Sequence, residues 1–477
     1  MEELKENEEV KMELDDYDAY DAIVDKKTDE LTELLDKRDM KKLKQRMEEM
    51  NEFDVAEFLS EIDDNRMPMV FRLLSKETAA DVFANFEAPE QEQIINAITD
   101  SELAGILDEM YLDDAVDLME ELPANVVKRI MRSATPETRN LINQYLRYPE
   151  DSAGSIMTSE YVDLKKYMSV KESFARIRRI GEDKETIYIC FVTSADRKLE
   201  GIVSVKDLLL ADDDTIVGDL MNTNVIFATT TEDQQSVSEK FSDYDLIAMP
   251  VVDGENRLVG IVTVDDVIDV MEQEATEDFQ IMAAMTPSDI PYSRASTFEI
   301  WKNRIPWLMF LMLSATFTSM ILTRFESRLA VQAGLVAFIP MLMGTGGNSG
   351  AQASTAVIRS LSLGDIEPRD ALKVIWKELR VALLCGVVLA LVNFGKMLLL
   401  DGKILHNPNI TVSIAATVSL SVLFIVMFAK VVGSLLPILA EKIGVDPAVM
   451  ANPLISTVTD AVSLLIYIYV AKLILHI

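Results

Sequence analysis

The sequence predicts a multidomain chain: an all-α N-terminal helical superhelix, an α/β pair of related halves, a long connecting helix and a five-helix α-helical transmembrane domain. Three observations carry this reading. Apolar positions recur about every 24 residues through the first third, a second internal similarity spans residues 152–268, and hydropathy rises for good after residue 301. Charge divides the same way. The first 300 residues hold 70 acidic and 31 basic side chains, a net −39, whereas the remainder holds nine and 14, a net +5. Such an acidic front repels phosphates, which argues against nucleic acid as a partner and favours cations. The opening "MEELKENEEVKMELDDYD" lacks the apolar core of a signal peptide, so the N-terminus is expected to stay cytoplasmic. Cys190 and Cys385 lie in different regions without metal-type spacing and imply neither a disulfide framework nor a zinc site.

Residues 1–29 read as an acidic extension, and 30–146 as the helical domain. Its repeat emerges when "DVAEFLSEI" (54–62), "TAADVFANF" (78–86), "ELAGILDEM" (102–110) and "NVVKRIMRS" (125–133) are stacked. A helix and turn of this length cannot bury its apolar face alone, so stacked helices follow.

Residues 147–263 alternate β-rich and helical runs in two similar halves. "SAGSIMTSEYV" matches "IVGDLMNTNVI", with Gly154/Gly218 and Met157/Met221 each 64 residues apart, and "KLEGIVSVKDLL" matches "RLVGIVTVDDVI", with Gly201 and Gly260 59 apart. Two copies, each ending in an apolar strand, a Ser or Thr and then an Asp opening a helix, resemble a tandem pair of CBS domains. Residues 264–290 follow as an acidic connecting helix, free of Gly and Pro from 264 to 285, with a narrow apolar stripe at Val267, Val270, Met271 and Phe279.

The transmembrane domain, 291–477, holds five hydrophobic segments near 305–325, 329–352, 376–400, 411–437 and 448–474. Each approaches the ~20 residues that ~30 Å of hydrocarbon requires. With the N-terminus inside, five crossings put the C-terminus outside and place Arg359, Arg369, Lys373, Lys377 and Arg380 in a cytoplasmic loop.

Two stretches here carry chemistry. In "ISTVTDAVSLLIYIYVAKLIL", Asp460 is a carboxylate at bilayer depth, where insertion scales put the cost at ~2.5–3.5 kcal/mol unless it meets a partner or water. Ser456, Thr459 and Ser463 share its face at spacings of three and four, which points that face at an aqueous ion path. Asn452 lies two turns before Asp460, Asp446 at the cytoplasmic mouth, and Pro447 and Pro453 leave carbonyls free near the segment's start. The second stretch, "PMLMGTGGNSGAQASTAVIRS", strips bulk from a helix at Gly346, Gly347 and Gly350, as a packing seam does; Asn348 and Ser349 add a hydrated surface.

"PMLMGTGGNSGAQASTAVIRSL" and "VDPAVMANPLISTVTD", after an acidic helical domain and a CBS-like pair, resemble the MgtE family of bacterial magnesium channels and transporters. That resemblance implies a homodimer in the bacterial inner membrane, with a Mg²⁺ pore on its two-fold axis lined by Asp460, Asn452 and Asp446. It also implies a Mg²⁺ sensor drawn from Asp113, Asp114 and Asp117 of the helical domain and Asp266, Asp269, Glu274, Glu277 and Asp278 of the connecting helix. Repulsion among these carboxylates would be relieved by bound Mg²⁺, closing the pore. Ser204 with Asp207, and Thr263 with Asp266, are the positions at which CBS domains hold a nucleotide, which makes ATP a candidate ligand. Without the family, carboxylate and carbonyl oxygens suit Co²⁺, Ni²⁺ and Mn²⁺ as well. A secondary transporter coupled to H⁺ or Na⁺ would use the same Asp460. Enzymatic chemistry lacks machinery: the two histidines, His406 and His476, sit near membrane edges, and there is no Walker loop or nucleophile elbow.

Overall fold

The computed structural model describes residues 27–288, 290, 292, 295–329, 333–405, 410–450 and 452–476; most of the expected acidic extension, 1–29, lies outside them. Two compact units divide the chain, Met1–Met271 and Glu272–Ile477.

The first unit begins with α1 (residues 27–36) and α2 (Met40–Met47). Four helix pairs follow: α3 (Glu52–Glu61) with α4 (Met67–Phe71), α5 (Lys76–Ala84) with α6 (Ala88–Ala97), α7 (Asp100–Leu107) with α8 (Leu112–Glu121), and α9 (Ala124–Ser133) with α10 (Pro136–Tyr145). The leading helices start at 52, 76, 100 and 124, so the 24-residue period belongs to the structure as well as to the sequence. Local chemistry sets these starts. Asn51, Ser75 and Thr99 each accept a first-turn backbone N–H through the side chain, Thr99 in a capping box with Glu102. Leading helices stack on one another, α3 on α5, α5 on α7 and α7 on α9, burying Phe58, Phe83 and Leu103. Polar side chains tie the repeats together: Arg72, after the first pair, donates to Glu102 of the third at 3.2 Å, and Arg129 and Thr138 of the fourth donate to Asp100 and Asp108 of the third at 2.9 and 3.2 Å.

The β-containing halves repeat one topology. β1 (Tyr161–Leu164), α11 (Val170–Ile180), β2 (Thr186–Thr193), β3 (Leu199–Ser204) and α12 (Val205–Leu210) form the first. α13 (Val217–Leu220), β4 (Ala228–Thr229), α14 (Gln234–Tyr244), β5 (Ala248–Val252) and β6 (Leu258–Thr263) form the second. In each three-stranded sheet the first pair is parallel and the second antiparallel. The halves exchange their opening segments: Thr158 pairs with Ile261 of β6, and Asn222 with Ile202 of β3. This exchange explains the matched glycines. A Cβ on Gly260 would stand 2.7 Å from the Met157 sulfur and 2.8 Å from the Thr158 carbonyl; one on Gly201 would stand 2.9 Å from the Asn222 carbonyl and 3.0 Å from the Met221 sulfur. The core of the second half, including Met249, Val251 and Val262, runs without a break into that of the helical repeats.

α15 (Val264–Met282) begins in the first unit and continues into the second. The second unit continues with α16 (Thr297–Leu329), α17 (Ala333–Val336), α18 (Ile339–Ser362), α19 (Ala371–Lys396), α20 (Val412–Lys442) and α21 (Asn452–Leu475). Among the described residues, four segments, containing α16, α19, α20 and α21, are long and apolar enough to cross a membrane. α18 has the length but not the composition, because Gly, Ser, Asn and Gln fill its middle turns. Its bounds also differ from the expected 329–352. The helix starts at Ile339, with Pro340 in the first turn where a missing N–H costs nothing, and runs to Ser362. The apolar run that suggested a span from 329 is shared between α17 and the head of α18.

Small residues let α18 pack closely against α20 and α21. A Cβ on Gly433 would lie 2.3 Å from the Gly350 carbonyl oxygen, so these two backbones touch. α19 meets α20 through polar contacts as well: the buried Asn393 amide donates to Ser419 at 3.0 Å, and buried Lys430 faces Glu378 at 3.8 Å.

Candidate cation sites

In the first unit, α8, the loops before β1 and β2 and the head of α15 bring Asp113, Asp114, Glu160, Glu185, Asp265 and Asp266 into one electrostatic neighbourhood, with Asp81 adding to the repulsion on Asp114 and Asp269 to that on Asp266. The placement follows from local structure. Asp113 and Asp114 occupy the first turn of α8, as Asp265 and Asp266 do in α15, where helix dipoles favour acids. The Glu185 N–H bonds the Glu160 carbonyl at 2.9 Å, setting those two residues side by side.

The leading influences on the proton affinity of Asp113, Asp114 and Glu185 are burial and neighbouring carboxylates, and on Asp266 burial, the Thr263 hydrogen bonds and neighbouring carboxylates. Burial, then mutual repulsion, pushes Asp114 up to about 6 and Glu185 to about 7, and holds Asp113 well above the usual carboxylate range. Burial likewise lifts Asp266 to about 6 despite hydrogen bonds from Thr263 that act the other way. Asp113 Oδ1 and Glu185 Oε2 are buried and accept no hydrogen bond. Two orphaned acceptors among repelling acids are suited to a cation. Among the described residues no three Asp, Glu, His or Cys side chains form a group that could hold a metal ion directly; these carboxylates could face only an ion that keeps much of its water.

The structure gathers Asp113, Asp114 and Asp266 from the expected sensor set. Asp117 is exposed on the same helix; Asp269, one turn beyond Asp266 on α15, is also exposed but adds to the repulsion on Asp266. Glu160, Glu185 and Asp265 were not expected. The first two lie on loops, where no periodicity marks a charge as inward-facing. Asp265 is signalled only by its neighbour Asp266.

A second acidic group lies in the other unit. Asp278 is pushed up to about 6 by partial burial, then by Asp446 and Glu274, while Arg359 pulls it down. Asp446 also accepts the Ala448 N–H at 2.7 Å, capping the turn before α21. Glu277 is exposed.

On α21 the polar face divides. Thr459 is fully buried and returns its hydroxyl to the Ile455 and Ser456 carbonyls, at 2.8 and 3.0 Å. Ser463 is 1 % exposed and lies where a Cβ on Gly346 would be 2.6 Å from its Oγ; Ser456 lies beside Gly347, and Ile455 and Thr459 lie against Gly350. The expectation that Ser456, Thr459 and Ser463 line an aqueous path is therefore corrected. They form the seam against α18, because only small side chains fit opposite its glycines. Asp460 is half-buried at the edge of that seam. The side chain of Asn452 lies outside the described residues.

The opposite face of α18 is exposed. Asn348, Gln352, Thr355 and Arg359, spaced by four, three and four residues, line an open groove of about 730 Å³ with Ala351 and Ala356. Ser349, expected beside Asn348, is buried instead, since one residue turns the helix by about 100°.

At the nucleotide positions, Ser204 donates to Asp207 at 2.6 Å and caps α12, and Thr263 donates to Asp266 at 2.7 Å. Asp207 is exposed, whereas Asp266 belongs to the acidic cluster.

Comparison with known proteins agrees in each region. A family model described as a divalent cation transporter matches residues 339–470, an MgtE intracellular N domain matches 50–151, and CBS domains match 153–214 and 217–273. The magnesium transporter MgtE of Thermus thermophilus is 39 % identical over 427 residues, covering 89 % of this chain and 93 % of that protein. The magnesium transporter MgtE of Bacillus subtilis is 30 % identical over 89 % of this chain and 92 % of its own. A crystal structure of the soluble part of a magnesium transporter superposes with a TM-score of 0.51 at 30 % identity, covering 53 % of this chain and 99 % of that one.

Proposed function

The chain belongs to the MgtE family of magnesium transporters, and from that premise we propose that it is a Mg²⁺-selective channel passing the ion down its electrochemical gradient into the cytoplasm, closed by Mg²⁺ bound to its own acidic clusters. As a member of that family it is a membrane protein that moves divalent cations. The finer reading takes α16 and α18–α21 as five crossings in the bacterial inner membrane, with the N-terminus inside and the C-terminus outside. α18 is tolerated there because it buries its glycine face against α20 and α21. Its polar stripe, Asn348 to Arg359, needs a polar or aqueous neighbour, which a second copy across a two-fold axis supplies. Asp460 from each copy, with Asn452 and Asp446 toward the cytoplasm, would then hold a hydrated Mg²⁺ by its waters and release it readily. Residues that prefer hydrated Mg²⁺ also admit Co²⁺, Ni²⁺ or Mn²⁺ to a degree that geometry alone does not fix.

The observation that carries the gating is the pair of buried oxygens, Asp113 Oδ1 and Glu185 Oε2, left without donors amid like charges. A cation favours the arrangement that assembles them, and its loss favours their separation. Asp117 and Asp269 of the first unit, and Glu274, Glu277 and Asp278 of the second, are the further carboxylates assigned to the sensor. ATP, if bound at the CBS pair, would use Ser204 and the exposed Asp207; Thr263 and Asp266 are already committed to the acidic cluster. Limited proteolysis of the full-length protein tests the gating reading. Millimolar Mg²⁺ should protect the parent and leave the triple variant Asp113→Asn, Glu185→Gln, Asp266→Asn unresponsive; a parent that ignores Mg²⁺ contradicts it.

A further inference from the structure

The segment that follows α15, residues 283–288, is braced at both ends. Two residues beyond α15, Ala284 has a φ of +55°, a left-handed conformation that favours glycine. The Met285 N–H closes this end on the Gln280 carbonyl at 2.9 Å. The Gln280 side chain then acts as a second strand would: its Oε1 accepts the Ser288 N–H at 2.9 Å and its Nε2 donates to the Ser288 carbonyl at 3.0 Å. Within the same loop, the Thr286 N–H reaches the Asn303 carbonyl of α16 at 2.9 Å.

The docking point has a mechanical meaning. Pro306 lies inside α16 and leaves the Lys302 carbonyl without its helical donor, so this turn is where the helix bends at least cost. The loop therefore meets α16 one residue from its weakest turn. Ala284 is buried, so the left-handed residue does not sit on a free swivel.

We propose that Gln280 is a coupling residue, whose amide locks the 285–288 loop so that displacement of α15 is delivered to the Pro306 turn of α16. The inference rests on the Mg²⁺ gating proposed above and adds the part that transmits it. Gln280 contacts no ion in this role; it positions the lever.

The test uses the full-length protein in proteoliposomes, measuring Mg²⁺ influx against internal Mg²⁺ and, on the same samples, Mg²⁺-dependent protection of the soluble region from protease. Gln280→Met keeps size and helix propensity but loses both bonds. Its half-suppressing internal Mg²⁺ should rise about fivefold or more, with the protection midpoint unchanged. Gln280→Glu, which retains an acceptor for the Ser288 N–H, should fall between Met and parent. A suppression curve for Gln280→Met within about twofold of the parent, less than the smallest usual coupling, overturns the inference. So does a protection midpoint that moves with the flux midpoint, since that would place Gln280 in ion sensing. A parent whose influx ignores internal Mg²⁺ overturns the gating reading and this inference together.

Discussion

At the scale of the residue, Asp460 illustrates what a sequence discloses and what it withholds. A lone acid in an apolar helix is conspicuous, and its half-exposed position on α21 is consistent with a path for cations. Its polar neighbours looked like evidence for the same path, yet Thr459 and Ser463 serve packing. Sequence spacing gives the angle of a side chain about its own helix but not which neighbour occupies that angle. Asp460→Asn should reduce Mg²⁺ influx on the order of tenfold or more, the equivalent of ~1.4 kcal/mol of lost stabilisation, whereas Ser463→Ala should leave influx nearly unchanged. Influx assays with both variants separate path from seam. Glycine contacts yield a paired expectation for thermal unfolding in detergent. Gly433→Ala drives a methyl into the Gly350 carbonyl and should cost ~1–3 kcal/mol. Gly395→Ala meets nothing within 4 Å and should be neutral or stabilising by up to ~1 kcal/mol.

Between elements, repetition was the most legible feature. The helical repeat could be read at its true 24-residue period because each pair reuses one pattern of buried apolar residues, and the first three reuse a side-chain cap as well. The matched glycines of the CBS halves marked the two points where each half receives the other's chain. The bounds of α18 were misplaced by ten residues because hydropathy follows apolar content, and this helix is held by close backbone contact instead. Nor did the sequence announce that Lys430 of α20 and Glu378 of α19 would face each other. Removing one partner from a buried pair strands the other charge. Lys430→Met should therefore lower stability by ~3–5 kcal/mol, and adding Glu378→Leu should recover much of that loss; thermal melts of the single and double variants measure it.

For the whole molecule, the acidic front is a stored repulsion. Asp113, Asp114 and Asp266 were recognisable as helix-opening acids; Glu160 and Glu185 join them only through the fold, from loops that carry no periodic signal. The pH dependence follows with a definite sign. Asp114, Asp266 and Glu185 bind protons more tightly in the folded protein, near 6 to 7, than in the unfolded chain, where such groups titrate near ~4. Their favourable contribution is complete at and below ~pH 4 and is lost as pH rises through 6 and 7. With chelator present, the melting temperature of the full-length protein should thus fall by a few degrees between about pH 5 and 8, and Mg²⁺ at pH 8 should restore it. A chelated protein equally stable at both pH values would show that these carboxylates are relieved in some other way.

The central claim is that a cation held by this acidic cluster closes a path through the membrane. Mg²⁺ influx into proteoliposomes loaded with low or high internal Mg²⁺ tests it most directly, with the parent compared to Asp113→Asn, Glu185→Gln, Asp266→Asn. The account predicts that high internal Mg²⁺ suppresses influx through the parent, and that influx through the triple variant no longer changes with internal Mg²⁺. Normal suppression in the triple variant would contradict it.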